Sequence, residues 1–182
     1  MVINQELFER LEAFKVINQE LFERLEAFKN LTEKQLTILA NICEEVFFKQ
    51  DDRLFAEGDP ATNLWLVVDG RVDLRFEMPD KRVSTTEHTV SSVEVTPQKP
   101  VAKTLGWSCF VPPYKMRLSA YCATRTCRIV RLPKKELLQY FEDDPAMGYR
   151  FMSYMVTVVG FRFQQFQDMV AKTTGDTIMS GW

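Results

Sequence analysis

Residues 54–76 constrain the fold more than any other part of the chain, because their hydrophobic period is two and glycines interrupt them at Gly58 and Gly70. Within residues 70–76, Val72, Leu74 and Phe76 alternate with Arg71, Asp73 and Arg75. Successive strand side chains point to opposite faces, so this pattern predicts one buried face and one wet face. Residues 46–49, 53–56 and 64–68 read as further short strands separated by turn residues. Strands are also expected at 119–123 and 127–132. Residues 83–103, rich in Ser, Thr and Val with Pro97 and Pro100, read as a β-hairpin with a mobile tip.

Helices are expected on both sides of these strands. Thr32 with Gln35 three residues later forms a capping box, and Leu36, Leu39, Ala40 and Cys43 give the new helix a buried stripe that ends near Glu45. Pro133 opens a second helix carrying Leu137, Leu138 and Phe141. Asp144 and Pro145 then serve as N-cap and first residue of a long final helix reaching about Lys172. The expected fold is therefore mainly β with flanking helices: a β-roll or jelly roll with N-terminal helices and a long C-terminal helix.

The domain proper covers 31–172, with a tail at 173–182. Residues 1–30 form an N-terminal helical segment with an internal duplication: VINQELFERLEAFK at 2–15 recurs letter for letter at 16–29. A perfect copy, surface positions included, reads as an artefact of the sequence rather than a diverged structural repeat. The alternative is a lengthened interaction helix, since two heptads nearly realign Leu7, Leu11 and Phe14 with Leu21, Leu25 and Phe28.

Composition narrows the function. Lys plus Arg total 23 against Asp plus Glu 25, a formal net charge of -2, so the basic excess of a nucleic-acid binder is missing. Cys43, Cys109, Cys122 and Cys127 show no C-x-x-C pairing and read as reduced thiols. Cys122 and Cys127, five apart, would face opposite ways if they shared one strand. The single histidine, His88, cannot build a His-based metal site or a catalytic triad, so no metal, catalytic residue or enzyme activity is expected. No signal core or membrane-length apolar run is seen, and the expected location is the cytoplasm.

The motif Leu54-Phe55-Ala56-Glu57-Gly58-Asp59-Pro60, followed by Leu64-Trp65-Leu66-Val67-Val68-Asp69-Gly70-Arg71-Val72, resembles the first half of the cyclic-nucleotide-binding domain. The resemblance spans about residues 31–172. It implies a hairpin glycine at Gly70 and a phosphate cassette in which Leu105-Gly106 replaces the usual Phe-Gly. In that family, backbone N–H groups at a helix start and an arginine about ten residues later hold the cyclic phosphate, while a glutamate accepts the ribose 2′-hydroxyl. Here Arg117 takes the arginine position, followed by Leu118 and Ser119, and Trp107 takes the glutamate position. Trp107 has one N–H donor and no acceptor, and Pro112-Pro113 cuts short any helix begun there. The stretch GWSCFVPPY resembles a variant found in bacterial members without a DNA-binding domain. After Lys172 only ten residues remain, too few for a helix-turn-helix.

The resemblance makes Gly106, Trp107, Ser108, Arg117 and Ser119 the candidate ligand-binding residues. The ligand would be a small anionic effector, a cyclic nucleotide in the family's usual case, with no other cofactor. Trp107 either stacks on a base or fills the space a ligand would take. Met152, Val156, Val159, Phe163, Phe166 and Val170 are spaced as a heptad a/d seam, which suggests a homodimer through the C-terminal helix. Phe151, Met155 and Val158 add a second apolar flank for the β-roll. Two functions follow: an effector-sensing regulatory domain that signals through its helices, or a degenerate, non-binding dimeric interaction module.

Overall fold

The computed structural model describes Phe28 and residues 31–77, 89–96 and 103–180. In chain order the elements are α1 (Glu33–Ile42), β1 (Glu44–Lys49), β2 (Arg53–Phe55), β3 (Asn63–Arg75), β4 (Thr89–Val95), β5 (Lys103–Leu105), a 3₁₀ turn (Trp107–Phe110), β6 (Ser119–Cys122), β7 (Thr126–Pro133), α2 (Lys134–Asp143) and α3 (Pro145–Ser180). The expected β-roll with flanking helices and a long C-terminal helix is the observed architecture.

All the strand pairs are antiparallel, and β3 is common to most of them. Its first half pairs with β7 and β5, and its second half pairs with β4 and β6. Two expected strands, 64–68 and 70–76, are thus one strand. Gly70 does not close a hairpin; it sits beside a register shift between Val67 and Asp69, where β3 leaves one half of the roll and enters the other. Its φ of 90° requires glycine. A Cβ there would also lie 2.6 Å from the Thr126 carbonyl oxygen. The first half of β3 buries four successive residues, Leu64 to Val67, so both of its faces are covered.

The alternation expected for 70–76 is only partly observed. Val72 is buried, but Phe76 is exposed, and Asp73 and Arg75 are each only 4% exposed. Their burial is made tolerable by pairing. Asp73 Oδ2 lies 3.3 Å from Arg75 Nη2, Ser92 donates to Asp73 Oδ1 at 2.7 Å, and the Arg75 guanidinium stands 4.7 Å from the centroid of the Tyr121 ring. Of the hairpin expected at 83–103, the described part is β4, which pairs with β3. The tip and His88 lie outside the described residues.

The helix starts are built as the sequence suggests. Thr32 and Gln35 form the capping box, and the Gln35 amide also donates to Asp144. Asp144 in turn accepts from Met147 N at 3.1 Å, capping α3. Helix α1 ends at Ile42, with strand β1 already begun at Glu44, so Cys43 is a C-cap residue. Helix α3 continues past Lys172 to Ser180, through residues expected to be a tail. No helix among the described residues is long and apolar enough to cross a membrane.

Aromatic rings tie the helices to the roll. Phe151 of α3 stacks on Phe28 at 5.4 Å, meets Phe141 of α2 at 4.9 Å, and takes the edge of Phe110 at 5.6 Å. All four cysteines are free thiols. Burial pushes Cys43 and Cys109 up to about 12, which keeps them protonated and unreactive. Cys122 and Cys127 belong to different strands, β6 and β7, and their sulfurs meet at 2.8 Å instead of facing apart.

Replacing Gly70 with alanine should lower stability by about 3 kcal/mol, since it adds an unfavourable φ to a backbone clash. Urea denaturation measures it, and an unchanged midpoint would show that β3 bends without this glycine.

Candidate functional site

The Glu57-Gly58-Asp59 turn sets the position of Arg117. Gly58, with φ 84°, donates its N–H to Met116 O at 2.9 Å, and Met116 N donates to Asp59 O at 2.9 Å. The Asp59 carboxylate closes the turn by accepting from Ala56 N at 2.9 Å. Residue 117 is therefore held by the signature turn more than sixty positions away from the helix that faces it. On the opposite rim, Gly106 adopts φ 75° directly against Trp65 and Asn63, where a Cβ would fall 2.7 Å from the Trp65 ring. The 3₁₀ turn after it ends at Phe110, ahead of the cis Pro112-Pro113 peptide.

These two segments and α3 enclose two adjoining cavities. The inner one, about 70 Å³, is lined by Gly106, Trp107, Ser108, Arg117 and Arg162 together with apolar residues such as Phe55 and Met116. The outer one, about 600 Å³, shares Leu74, Trp107, Arg117, Leu118 and Arg162 with it and extends along Ser91, Ser92 and Phe166. A volume of this size is ordinary for a small-molecule site. Trp107 is half-buried and forms part of the wall, leaving the outer cavity open.

Four of the five candidate residues thus come together. Arg117 is exposed and makes no ion pair or hydrogen bond among the described residues. Ser119 does not line either cavity. It is fully buried, accepts from Glu57 N at 2.8 Å and donates to Glu77, whose Oε1 also accepts from Tyr121 at 2.9 Å. Glu77 N donates to Glu57 Oε2 at 3.0 Å, and Arg53 Nη1 lies 3.8 Å from Glu77 Oε1. Ser119 therefore fastens the end of β3 to the signature turn. Its hydrogen bond, followed by that of Tyr121, holds the Glu77 carboxyl below the ordinary glutamate range. Among the described residues there is no cluster of three or more metal-ligating side chains.

No family model matches the chain, and no curated protein matches it. Solved structures do. A protein assigned to cyclic-nucleotide binding from Geobacter metallireducens is 25% identical, with 80% of this chain and 97% of that chain covered and a TM-score of 0.63. A cyclic nucleotide-binding domain from Methylobacillus flagellatus is 18% identical over 88% of this chain and 85% of that one, with a TM-score of 0.67. The fold is that of a cyclic-nucleotide-binding domain. The sensor domain of the transcriptional regulator DNR from Pseudomonas aeruginosa is similar as well, at 16% identity, coverage of 83% and 94%, and a TM-score of 0.64.

Against the pattern of the cyclic-nucleotide-binding domain, the sequence reading missed Arg162. It followed the apolar stripe of the final helix and treated the polar positions between as solvated. The signal that could have exposed it is an arginine inside a long run of α3 that has no other basic residue between Arg150 and Lys172.

The carboxylate of Glu77 gives a pH signature. A lowered folded value means that its contribution is complete above the unfolded glutamate value and is lost as the pH falls through the folded one. Glu77→Gln should therefore lower stability at neutral pH and flatten the acid side of the stability profile. Thermal melts from pH 7 to pH 3 check this, and a parallel profile for the variant would show that Glu77 is not held as described.

Proposed function

We propose that the domain is an effector sensor: a small anionic ligand enters the cavity beside Gly106, Trp107 and Ser108, is held by Arg117, and acts through α3. The observation that carries this reading is Arg117, a cation without a protein counter-charge on the rim of an open cavity of about 600 Å³. Cyclic nucleotides are the ligands named for domains of this fold, and they make the natural first class to test. The missing ribose acceptor at Trp107 favours either a different anion or weaker ribose selectivity.

Helix α3 is placed to respond. It forms one wall of the cavity through Arg162 and Phe166, and Tyr154 shares a hydrogen bond of 3.3 Å with Thr104 beside the cassette. Its inner flank, Phe151 and Met155, is buried, with Val158 partly so. Its other side leaves Val156 72%, Phe163 59% and Phe166 52% exposed. Contiguous exposed apolar residues of this kind fit a two-fold pairing of α3 with a second copy. The second reading, a dimeric interaction module that binds nothing, draws on Trp107 in place of the ribose acceptor. A ligand-free module would show no thermal shift with any cyclic nucleotide.

Two outcomes are expected. Arg117→Ala should weaken the binding of an anionic ligand by about tenfold or more, roughly 1.5–3 kcal/mol. Calorimetry at two salt concentrations reads this, and binding indifferent to both Arg117 and salt would place the ligand elsewhere. Changing Phe163 and Phe166 together to glutamate should give monomers, because like charges would meet across the seam. A dimer of unchanged mass by light scattering would reject α3 as the interface.

A further inference from the structure

Arginines in the strands are supplied with carboxylates. Arg53 faces Glu77, Arg71 and Arg75 face Asp73, Arg128 faces Glu45, and Arg131 faces Glu44. Arg162 is different. It is partly buried between α3 and β4, and its Nη1 donates to two neutral acceptors, Ser91 Oγ at 2.7 Å and Gln165 Oε1 at 3.1 Å. No carboxylate among the described residues lies within ion-pair distance of it. Asp168 lines the same outer cavity without pairing with it. Burial lowers the Arg162 pKa, the expected response of a cation withdrawn from water without a counter-charge.

A guanidinium in that setting is costly unless an anion arrives. Two neutral partners on one nitrogen fix its direction and leave Nε and Nη2 without a protein partner among the described residues. That is the geometry of a preorganised fork for a carboxylate or phosphate. Arg162 lines both cavities, and so does Arg117, on the other side of Trp107.

We propose that Arg162 is a second anion-binding residue, and that the effector carries two separated anionic groups, one held at Arg117 and one at Arg162. This rests on the sensor reading above and narrows its ligand class. A ligand with one charged group satisfies Arg117 and leaves the helix cation uncompensated. A ligand with two bridges the cassette and α3, so its second charge is what the helix senses.

Matched probes test it by calorimetry on the whole protein. Adenosine 3′,5′-bisphosphate is compared with adenosine 5′-monophosphate, and glutarate with butyrate, on wild type, R117A, R162Q and R162K. The expected result is that at least one doubly anionic probe binds about tenfold or more tightly than its partner in wild type. The adenosine pair winning indicates phosphates, and the glutarate pair carboxylates. R162Q should erase that preference while leaving the singly anionic probe unchanged. R162K should retain most of it, which separates lost charge from a misfolded variant. R117A should weaken both members of the pair. Equal affinities within both pairs in wild type, or equal weakening of both members by R162Q, would overturn the proposal. If single anions still bind through Arg117 in that case, the sensor reading stands alone. If no probe binds, or if binding ignores Arg117, the sensor reading falls and the second anion site falls with it.

Discussion

Everything in this domain hangs on β3 passing unbroken from one half of the roll to the other. The strand has to turn sharply while keeping its hydrogen bonds on both edges, and only a residue without Cβ can stand at Gly70 beside the Thr126 carbonyl. From that bend follow the rest of the distances. β7 and β5 are registered on the first half of β3, β4 and β6 on the second, and the cassette emerges from β5 opposite the end of β6. The cavity is the space left where these two halves diverge, closed on the open side by α3.

Local chemistry was legible in the sequence wherever a single short-range rule decided the outcome. The capping box at Thr32, the Asp144-Pro145 helix start, the positive φ of Gly58 and Gly70, and the apolar flank of Phe151, Met155 and Val158 all follow from nearest neighbours. Failures came where a distant partner reversed a local preference. Asp73 and Arg75 look solvated in an alternating strand, yet each is buried because Ser92 and Tyr121 arrive from β4 and β6. Ser119 follows Arg117 closely enough to look like a ligand residue, but the pleat turns it towards Glu57 and Glu77. The site was therefore readable on the cassette side and unreadable on the helix side, where Arg162 acquires its meaning only from β4.

The cavity and the exposed seam share one element. Phe151 touches Phe110 at the end of the cassette turn, and Phe163 and Phe166 lie three turns further along the same helix. A rigid helix packed on a ring cluster moves as a body, so displacement of the cassette and rotation of the seam are mechanically linked. The sequence separates these features by more than forty residues. The packing places them on one lever.

Phe28, finally, has a chemical twin. It fills its place against Phe151 from the second of two identical 14-residue segments, and Phe14 occupies the same position in the first. Side-chain chemistry cannot choose between them, because every neighbour within the segment is the same. The choice falls to tether length. Ring closure grows more costly with the number of residues in the loop, by about 0.6 kcal/mol for each doubling. The copy adjoining Leu31 is attached by the shorter tether and so has the higher effective concentration at the socket. Selection between equivalent anchors is thus made by polymer statistics, with no contribution from recognition.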